Sequence, residues 1–422
     1  MLLTKPLERE KVAAVTSTGS LEGLRERNKL RVIEALRQQG TASRSELARL
    51  TGLSRTTITS LITELQQRGL VVEQPAGDAG AEPAGRGRPP TLLRLDPSAG
   101  TALGIYFGHT HVSVAAADLS SSVLAERRLE LDVDHSATAA LDAAVELVDL
   151  VLDEAELRRE DVIGVGMGLS GPVDLSGTVG HTVILPDWAG LNAADEFSSR
   201  LGLHVAVDND ANLGALAEVS AGAGRGLTDV VYVMVSSGIG SGLILDGRLH
   251  RGATGFAGEL GHVFVAEKGA VCRCGNRGCL ETVASTDALL ALLRPAHGPD
   301  LTVAGVLELV AAGDLAANRV VYDVGRAIGR VLAALINCLD PQAIIVGGEL
   351  SAAGEPLLNG IRDAIDRYAL PGASRSVEVK AGVLGDRAEV LGALALVISD
   401  TERLRSAGLA ALPGESRSPV LA

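Results

Sequence analysis

Three of the chain's four cysteines fall within eight positions, in "CRCGNRGC" from Cys272 to Cys279. His262 precedes them, with nine residues between it and Cys272. One imidazole and three thiols at this spacing form a Cys₃His set, the donor chemistry of tetrahedral Zn²⁺. Four protein ligands close the shell, so the expected ion is structural, with no open position for water. Gly275 and Gly278 let the backbone wrap tightly around it. The alternative, a reactive or incidental thiol cluster, does not account for the histidine. Cys338, in a helix before "DPQAIIVGG", reads as an apolar core residue.

The chain has 422 residues, enough for two or three domains. With 50 glycines and 2% aromatic residues, it favours Ala- and Val-rich α/β layers joined by tight turns. No apolar run reaches bilayer length. Lys5, Glu8, Arg9 and Glu10 interrupt the place of a signal peptide, so a cytoplasmic protein without a disulfide framework is expected.

Charge divides the chain. Residues 1–95 hold 15 Lys/Arg against 10 Asp/Glu, a balance of +5, while the remainder holds 23 against 42, a balance of −19. A basic head on an acidic body points to a polyanion partner for the head alone. The head also carries a motif. A helix from Leu21 to Gln39 has Leu30, Val32, Ile33 and Leu36 as its core face. Ser43 and Glu46 fit a capping box, Gly52 sits in a turn, and Ser54 caps a helix with the apolar stripe Ile58, Leu61, Ile62 and Leu65. This is a helix-turn-helix layout. The start of its last helix then offers Arg55, Thr56, Thr57 and Ser60 to base edges and phosphates, with Arg44 as a further DNA contact. A β wing follows. Its second strand is "PTLLRLDP", its tip carries Arg86 and Arg88 for the minor groove or backbone, and "QPAGDAGAEPAG" is a mobile connection. A helical protein-interaction module with a basic linker is the plainer alternative. The partner expected is double-stranded operator DNA.

The body repeats a plan. "TALGIYFGHTHVSVAAADLSS" and "DVVYVMVSSGIGSGLILDGRLH" each read as strand, glycine turn and strand, ending at an Asp bend (Asp118, Asp246). Two such units suggest related lobes facing one cleft, with the turns able to meet phosphates. Between them a buried strand, Val205 to Val207, runs into Asp208-Asn209-Asp210 and a helix. Carboxylate and amide at the C-terminal end of such a strand suit sugar hydroxyls, and an Asp there can accept a hydroxyl proton. An Asx-rich helix cap is the alternative. The helix "NRVVYDVGRAIGRVLAALINCLD" has an apolar stripe (Val320, Val324, Ile328, Val331, Leu335) that reads as lobe core before dimer face.

At Gly258 to His262 (Gly-Glu-x-Gly-His) and Cys272 to Glu281 (Cys-x-Cys-Gly-x-x-Gly-Cys-x-Glu), the chain resembles the ROK family of repressors, open reading frames and sugar kinases. The resemblance runs through nearly the whole chain. It implies an N-terminal winged helix-turn-helix domain and a two-lobed α/β actin-like body of the sugar kinase/ATPase type, assembled as a homodimer or tetramer. It also implies a sugar held by Asn209, Asp210, Glu259, His262 and Glu281, with Asp210 the base in a kinase, and places His262 on both metal and sugar. The chain departs from the kinases where their first phosphate loop reads Asp-x-Gly-x-Thr: "IYFGHTH" puts Tyr106 at the acidic position. A phenol cannot organise Mg²⁺ and a γ-phosphate as a carboxylate does.

The expectation is a regulator, a repressor of carbohydrate metabolism, that binds a sugar or sugar phosphate without phosphorylating it. No residue is then catalytic. A sugar kinase with a DNA-binding head, using Asp210, is the rival, and a structural DNA-binding protein with a vestigial body is the third reading. The domains expected are residues 1–95 for the head with wing and linker, 96–225 for the first lobe, and 226–405 for the second lobe with the metal site. The last helix of that span packs back on the first lobe, and a disordered tail follows at 406–422. No membrane partner is expected.

Overall fold

The computed structural model describes residues 21–74, 91–180 and 184–399. Arg86, Arg88, the Gly/Pro-rich connection and the tail 406–422 lie outside the described residues. The chain divides into two compact units, a head up to Asp96 and a body from Pro97.

In the head, α1 (Leu21–Gln39) is followed by β1 (Ala42–Ser43), α2 (Arg44–Thr51), α3 (Arg55–Gln67), β2 (Val71–Gln74) and β3 (Leu92–Leu95). Local chemistry sets the helix ends. Ser43 Oγ accepts from the Glu46 N–H while the Ser43 N–H donates to the Glu46 carboxylate at 2.7 Å, a complete capping box. Ser54 Oγ accepts from the Thr57 N–H at 3.1 Å. Val32, Leu36, Leu47, Ile58, Leu61, Ile62 and Leu65 form the core, against Leu93 and Leu95 of the wing, whereas Leu30 and Ile33 are only half-buried. Glu64 gathers Lys29 (2.6 Å), Arg68 (2.9 Å) and Arg25 (3.2 Å), tying α1 to α3. The three strands pair antiparallel in the order β1-β3-β2.

The body holds two five-stranded sheets. The first consists of β4 (Thr101–Phe107), β5 (His111–Asp118), β6 (Val123–Glu130), β7 (Val162–Leu169) and β8 (Val205–Asn209), in the order β6-β5-β4-β7-β8. The second consists of β9 (Val230–Val235), β10 (Ile239–Leu245), β11 (Arg248–Leu249), β12 (Ala343–Gly347) and β13 (Glu378–Ala381), in the order β11-β10-β9-β12-β13. Each sheet has three antiparallel strands followed by two parallel ones, so the repeated strand–glycine–strand plan belongs to two lobes of one topology.

In the first lobe, α4 (Ala137–Glu154) and α5 (Ala193–Leu201) share an apolar core with Phe107, Trp188 and Phe197. In the second, α7 (Glu281–Ala284), α8 (Thr286–His297), α9 (Val303–Ala311), α10 (Leu315–Leu339) and α11 (Glu355–Tyr368) cover the opposite face of their sheet, with α12 (Pro371–Ser376) beside α10 and α11. Two helices change sides. α6 (Asp210–Ala221) leaves the first sheet and buries Ala215 against Val230, Tyr232 and Ile345 of the second. α13 (Ala388–Ile398) leaves the second sheet and buries Val390, Leu394 and Val397 against Ala102, Ala115 and Ala117 of the first. They cross at Gly392, where an added Cβ would lie 2.0 Å from the Leu213 carbonyl oxygen. Only glycine permits that approach, so the lobes are joined through two helices in direct contact.

Val324, Ile328 and Val331 of α10 are buried, with Val320 and Leu335 packed beside them, in the second-lobe core. Cys338 departs from expectation: it is exposed. It lies two residues past the buried Ile336, about 200° around the helix, and so faces away from the packed side. Among the described residues, no helix is long and apolar enough to cross a membrane.

Candidate functional site: a sugar-sized cleft beside a Cys₃His cluster

A cleft of about 560 Å³ lies between the lobes, within the range of small-molecule sites. All five residues expected around a sugar line it: Asn209 and Asp210 from the first lobe, and Glu259, His262 and Glu281 from the second. They differ in how free they are. Asn209 is the N-cap of α6. Its Oδ1 accepts from the Ala211 and Asn212 N–H groups (2.9 and 3.3 Å), and its Nδ2 donates to the Gly171 carbonyl at 3.2 Å. The capping and ligand readings therefore meet on one side chain, with one amide hydrogen uncommitted. Asp210 is buried at the first position of α6, and the Ala211 N–H donates to its carboxylate at 2.8 Å. Burial pushes its carboxyl up to about 6, against that bond and the nearby His109 and Ser170, which favour the ionised form.

Glu281 accepts from Arg273 Nε at 2.6 Å and from the Ile239 N–H at 3.3 Å, while Arg273 Nη2 donates to the Ser237 carbonyl at 3.0 Å. Arg273 thus holds Glu281 against the second glycine turn. Glu259 lies 3.9 Å from His262 Nε2. Burial raises its carboxyl, His262 opposes the rise, and Glu281 adds to it.

His262 faces two ways. Its Nδ1 is 3.5 Å from Cys272 Sγ, and Cys274 Sγ is 3.7 Å from Cys279 Sγ. The four donor atoms lie within 4.8 Å of one another. A tetrahedral Zn²⁺ with Zn–S of about 2.3 Å and Zn–N of about 2.0–2.1 Å has S···N edges of about 3.5 Å and S···S edges of about 3.8 Å. The donor set fits that ion in type and number, and the His262–Cys272 and Cys274–Cys279 separations match the tetrahedral edges. The loop is shaped for it: the Cys272 N–H donates to the Asn276 carbonyl at 2.7 Å, and the Val265 and Leu280 N–H groups bind the Gly278 and Val263 carbonyls at 2.8 Å each. Gly278 has φ +73°, and a Cβ there would lie 1.8 Å from the Ala266 carbonyl oxygen. Coordination through Nδ1 would leave the proton on Nε2, and the imidazole would then offer a fixed donor toward Glu259 and the cleft.

At the first glycine turn, the half-buried Tyr106 pairs its hydroxyl with Ser170 Oγ at 2.9 Å. Burial raises its phenol well above the usual range, with Asp210 and Glu389 adding. Glu389, at the start of α13, is buried in the same wall. Burial pushes its carboxyl up to about 8, with Asp210, Asp386 and Glu218 adding. His109 Nδ1–H donates to the Asp134 carboxylate at 2.9 Å, and the His111 ring lies over Gly108.

Sequence reasoning missed several of these residues. Arg273 lies inside the cysteine run and was visible there. Glu389 is a lone acid opening the apolar helix "AEVLGALALVI", a signal in plain sight. Ser170 and the Arg251–Asp208 pair (2.7 Å) had no local signature.

On the head, Arg55, Thr56 and Ser60 are exposed on α3, and Thr59 and Thr63 extend the same face. Thr57 turns inward and its hydroxyl pairs with Ser54 Oγ at 2.8 Å. Ser60 Oγ accepts from Arg25 at 3.0 Å, and Arg44 pairs with Glu73 of β2 at 3.1 Å.

Comparison with known proteins agrees with both units. The chain is 29% identical over 393 residues to a xylose repressor of Caldicellulosiruptor bescii, covering 89% of this chain and 96% of the relative. It is 31% identical over 307 residues to a glucokinase of Halalkalibacterium halodurans, covering 69% and 92% respectively. A crystal structure described as a ROK family transcriptional regulator, homologous to the E. coli Mlc protein, superposes with a TM-score of 0.75 at 26% identity, over 91% of this chain and 99% of that one. Residues 25–81 match the MarR family, within the winged head. Residues 102–400, the lobes with their cleft and cysteine loop, match the ROK family, and the chain belongs to it.

Proposed function

We propose that the protein is a transcriptional repressor of carbohydrate metabolism whose affinity for operator DNA is set by a sugar or sugar phosphate bound between the lobes. The observation that carries this reading is the Tyr106–Ser170 pair beside Asp210. The cleft retains polar groups for sugar hydroxyls but has a phenol where phosphoryl transfer needs a carboxylate to organise metal and phosphate. Asp210, Glu259, His262 and Glu281, with the free hydrogen of Asn209, bind the sugar. Zn²⁺ on His262, Cys272, Cys274 and Cys279 is structural and orients the imidazole. The relatives support the regulator reading, since the xylose repressor is matched along 96% of its length, head included.

The head binds double-stranded DNA through the exposed N-terminal end of α3, with Arg86 and Arg88 of the wing on the minor groove or backbone. A homodimer or tetramer supplies the two heads that an operator with two half-sites requires. The ligand acts by favouring one lobe arrangement, and it shifts DNA affinity by its difference in affinity for the two arrangements. Such a protein works in the cytoplasm.

The test joins two assays on the purified full-length protein. Fluorescence anisotropy with DNA from its own promoter region is expected to show sugar-dependent release. Coupled detection of ADP over the same sugars is expected to show no turnover. Steady ADP formation on any sugar, lost in Asp210→Asn, would establish the kinase reading instead. For the head, Arg55→Ala is expected to weaken specific binding by about 1–3 kcal/mol while leaving binding to unrelated DNA nearly unchanged. Equal loss on both DNAs would make Arg55 a backbone contact.

A further inference from the structure

We infer that Arg251 is a positioning residue: it fixes the Asp208-Asn209-Asp210 turn of the first lobe to residues 250–258 of the second, and so sets the spacing between the two halves of the sugar site. The inference rests on the sugar reading above. In that reading Asn209 and Asp210 come from one lobe and Glu259, His262 and Glu281 from the other. A ligand bonded to both gains fully only in the lobe arrangement that holds their separation at the matching value, which is the arrangement it favours.

Arg251 reaches across that separation. Its Nε and Nη2 each lie 2.7 Å from Asp208 Oδ2. The other oxygen, Oδ1, accepts from Asn212 Nδ2 at 2.7 Å and from the Asn209 N–H at 2.9 Å. Asp208 is 5% exposed, so water does not substitute for these four donors. The carboxylate that Arg251 grips is bonded to the backbone of Asn209 itself, and the hold therefore acts on the ligand turn directly. The segment bearing Arg251 is tied at both ends. The Ala257 N–H donates to the Arg251 carbonyl at 3.1 Å, and Ser241 Oγ donates to the Gly258 carbonyl at 2.6 Å. Midway, Gly255 lies against the first lobe, where an added Cβ would be 2.8 Å from the Val173 carbonyl oxygen. The next residue after Gly258 is Glu259. One short segment thus touches the first lobe twice and delivers a ligand group of the second.

A guanidinium suits this task, since two of its N–H groups meet one carboxylate in fixed geometry. Arg251→Lys keeps the charge and loses the fork. Arg251→Gln loses both. Asp208→Asn keeps an oxygen for Asn212 and Asn209 and removes the charge that Arg251 needs. Calorimetric titration of the zinc-loaded full chain with D-glucose, D-xylose and N-acetyl-D-glucosamine is expected to show at least tenfold weaker binding in Arg251→Gln, a smaller loss in Arg251→Lys, and a loss in Asp208→Asn like that of Arg251→Gln. The double variant is expected to be no worse than the worse single, because the pair acts as one unit. Zinc content is expected to be the same in the variants as in the wild type. Hydrogen exchange without sugar is expected to quicken in Arg251→Gln at 250–258 and 205–212 only. Wild-type affinity in Arg251→Gln, or losses that multiply in the double variant, would overturn the inference. If Arg251→Gln does not fold, Arg251→Lys and Asp208→Asn decide it by the same readouts. If none of the three sugars binds the wild-type protein, the sugar reading fails separately, and exchange alone decides: quickening confined to those two segments sustains the positioning role, and unchanged exchange removes it.

Discussion

Cys272→Ser is expected to lose the metal, destabilise the body by about 3–5 kcal/mol and abolish detectable sugar binding. The magnitude follows from what the loop keeps without an ion. Structural zinc is worth about 10–16 kcal/mol in peptides that have no fold without it. Here the Cys272–Asn276, Val265–Gly278 and Leu280–Val263 backbone bonds already shape the loop, so only part of that energy shows in global stability. The effect on sugar runs through His262. With Nδ1 uncommitted the imidazole is free to choose its tautomer and to turn, and the Nε2 donor beside Glu259 is no longer fixed. The same loss is expected on chelation of the wild-type protein and is reversed by adding Zn²⁺. The measurements are metal content by elemental analysis, melting temperature with and without chelator, and sugar titration of each form. A protein that contains no zinc when purified under reducing conditions, and melts alike with or without chelator, would rule the ion out.

The parts of this site legible in the sequence were those made by local chemistry. The capping box Ser43/Glu46, the cap Ser54 and the four candidate metal donors within eighteen positions are short-range patterns; the caps form, and the four donor atoms gather within 4.8 Å. The repeated strand–glycine–strand units were legible for the same reason, and they belong to two sheets of one strand order. Where a residue had two short-range uses, sequence left both open: Asn209 is a helix cap and also lines the cleft. Cys338 was misjudged because cysteine's usual burial outweighed its position on the helix, two residues from the buried Ile336. Asp208 and Arg251 lie 43 positions apart and meet only because the lobes face each other. Glu389 was conspicuous in sequence, and the last helix was expected to pack back on the first lobe, as α13 does; what no local pattern gives is that this crossing sets Glu389 beside Asp210 in the cleft wall.

That crossing also makes Glu389 the source of a distinctive pH dependence. Its carboxyl titrates near 8 in the folded protein, raised first by burial and then by Asp210, Asp386 and Glu218, against an ordinary value of 4.5. The unfolded chain therefore releases this proton about three and a half pH units before the folded one does. Between those values the folded state binds more protons, so stability falls as pH rises, and it levels off once pH passes the folded value. The slope is about 1.4 kcal/mol per pH unit for one proton. Asp210, raised to about 6, adds a slope of the same sign at lower pH, from its ordinary 3.8 upward. The useful window is pH 6.5 to 8.5, where Asp210 is largely ionised, with Zn²⁺ kept in excess in every sample. Across it the wild-type protein is expected to lose about 2 kcal/mol through Glu389 alone. Glu389→Gln keeps the shape and remains neutral at every pH. It is expected to match the wild type only below about pH 4.5, to exceed it already by about 3 kcal/mol at pH 6.5, and to widen that lead by about a further 2 kcal/mol by pH 8.5. Urea denaturation of both proteins at half-unit steps measures the difference directly. Parallel curves would mean that Glu389 titrates normally, and that the contact of α13 with Tyr106 and Asp210 is wetter than its burial implies.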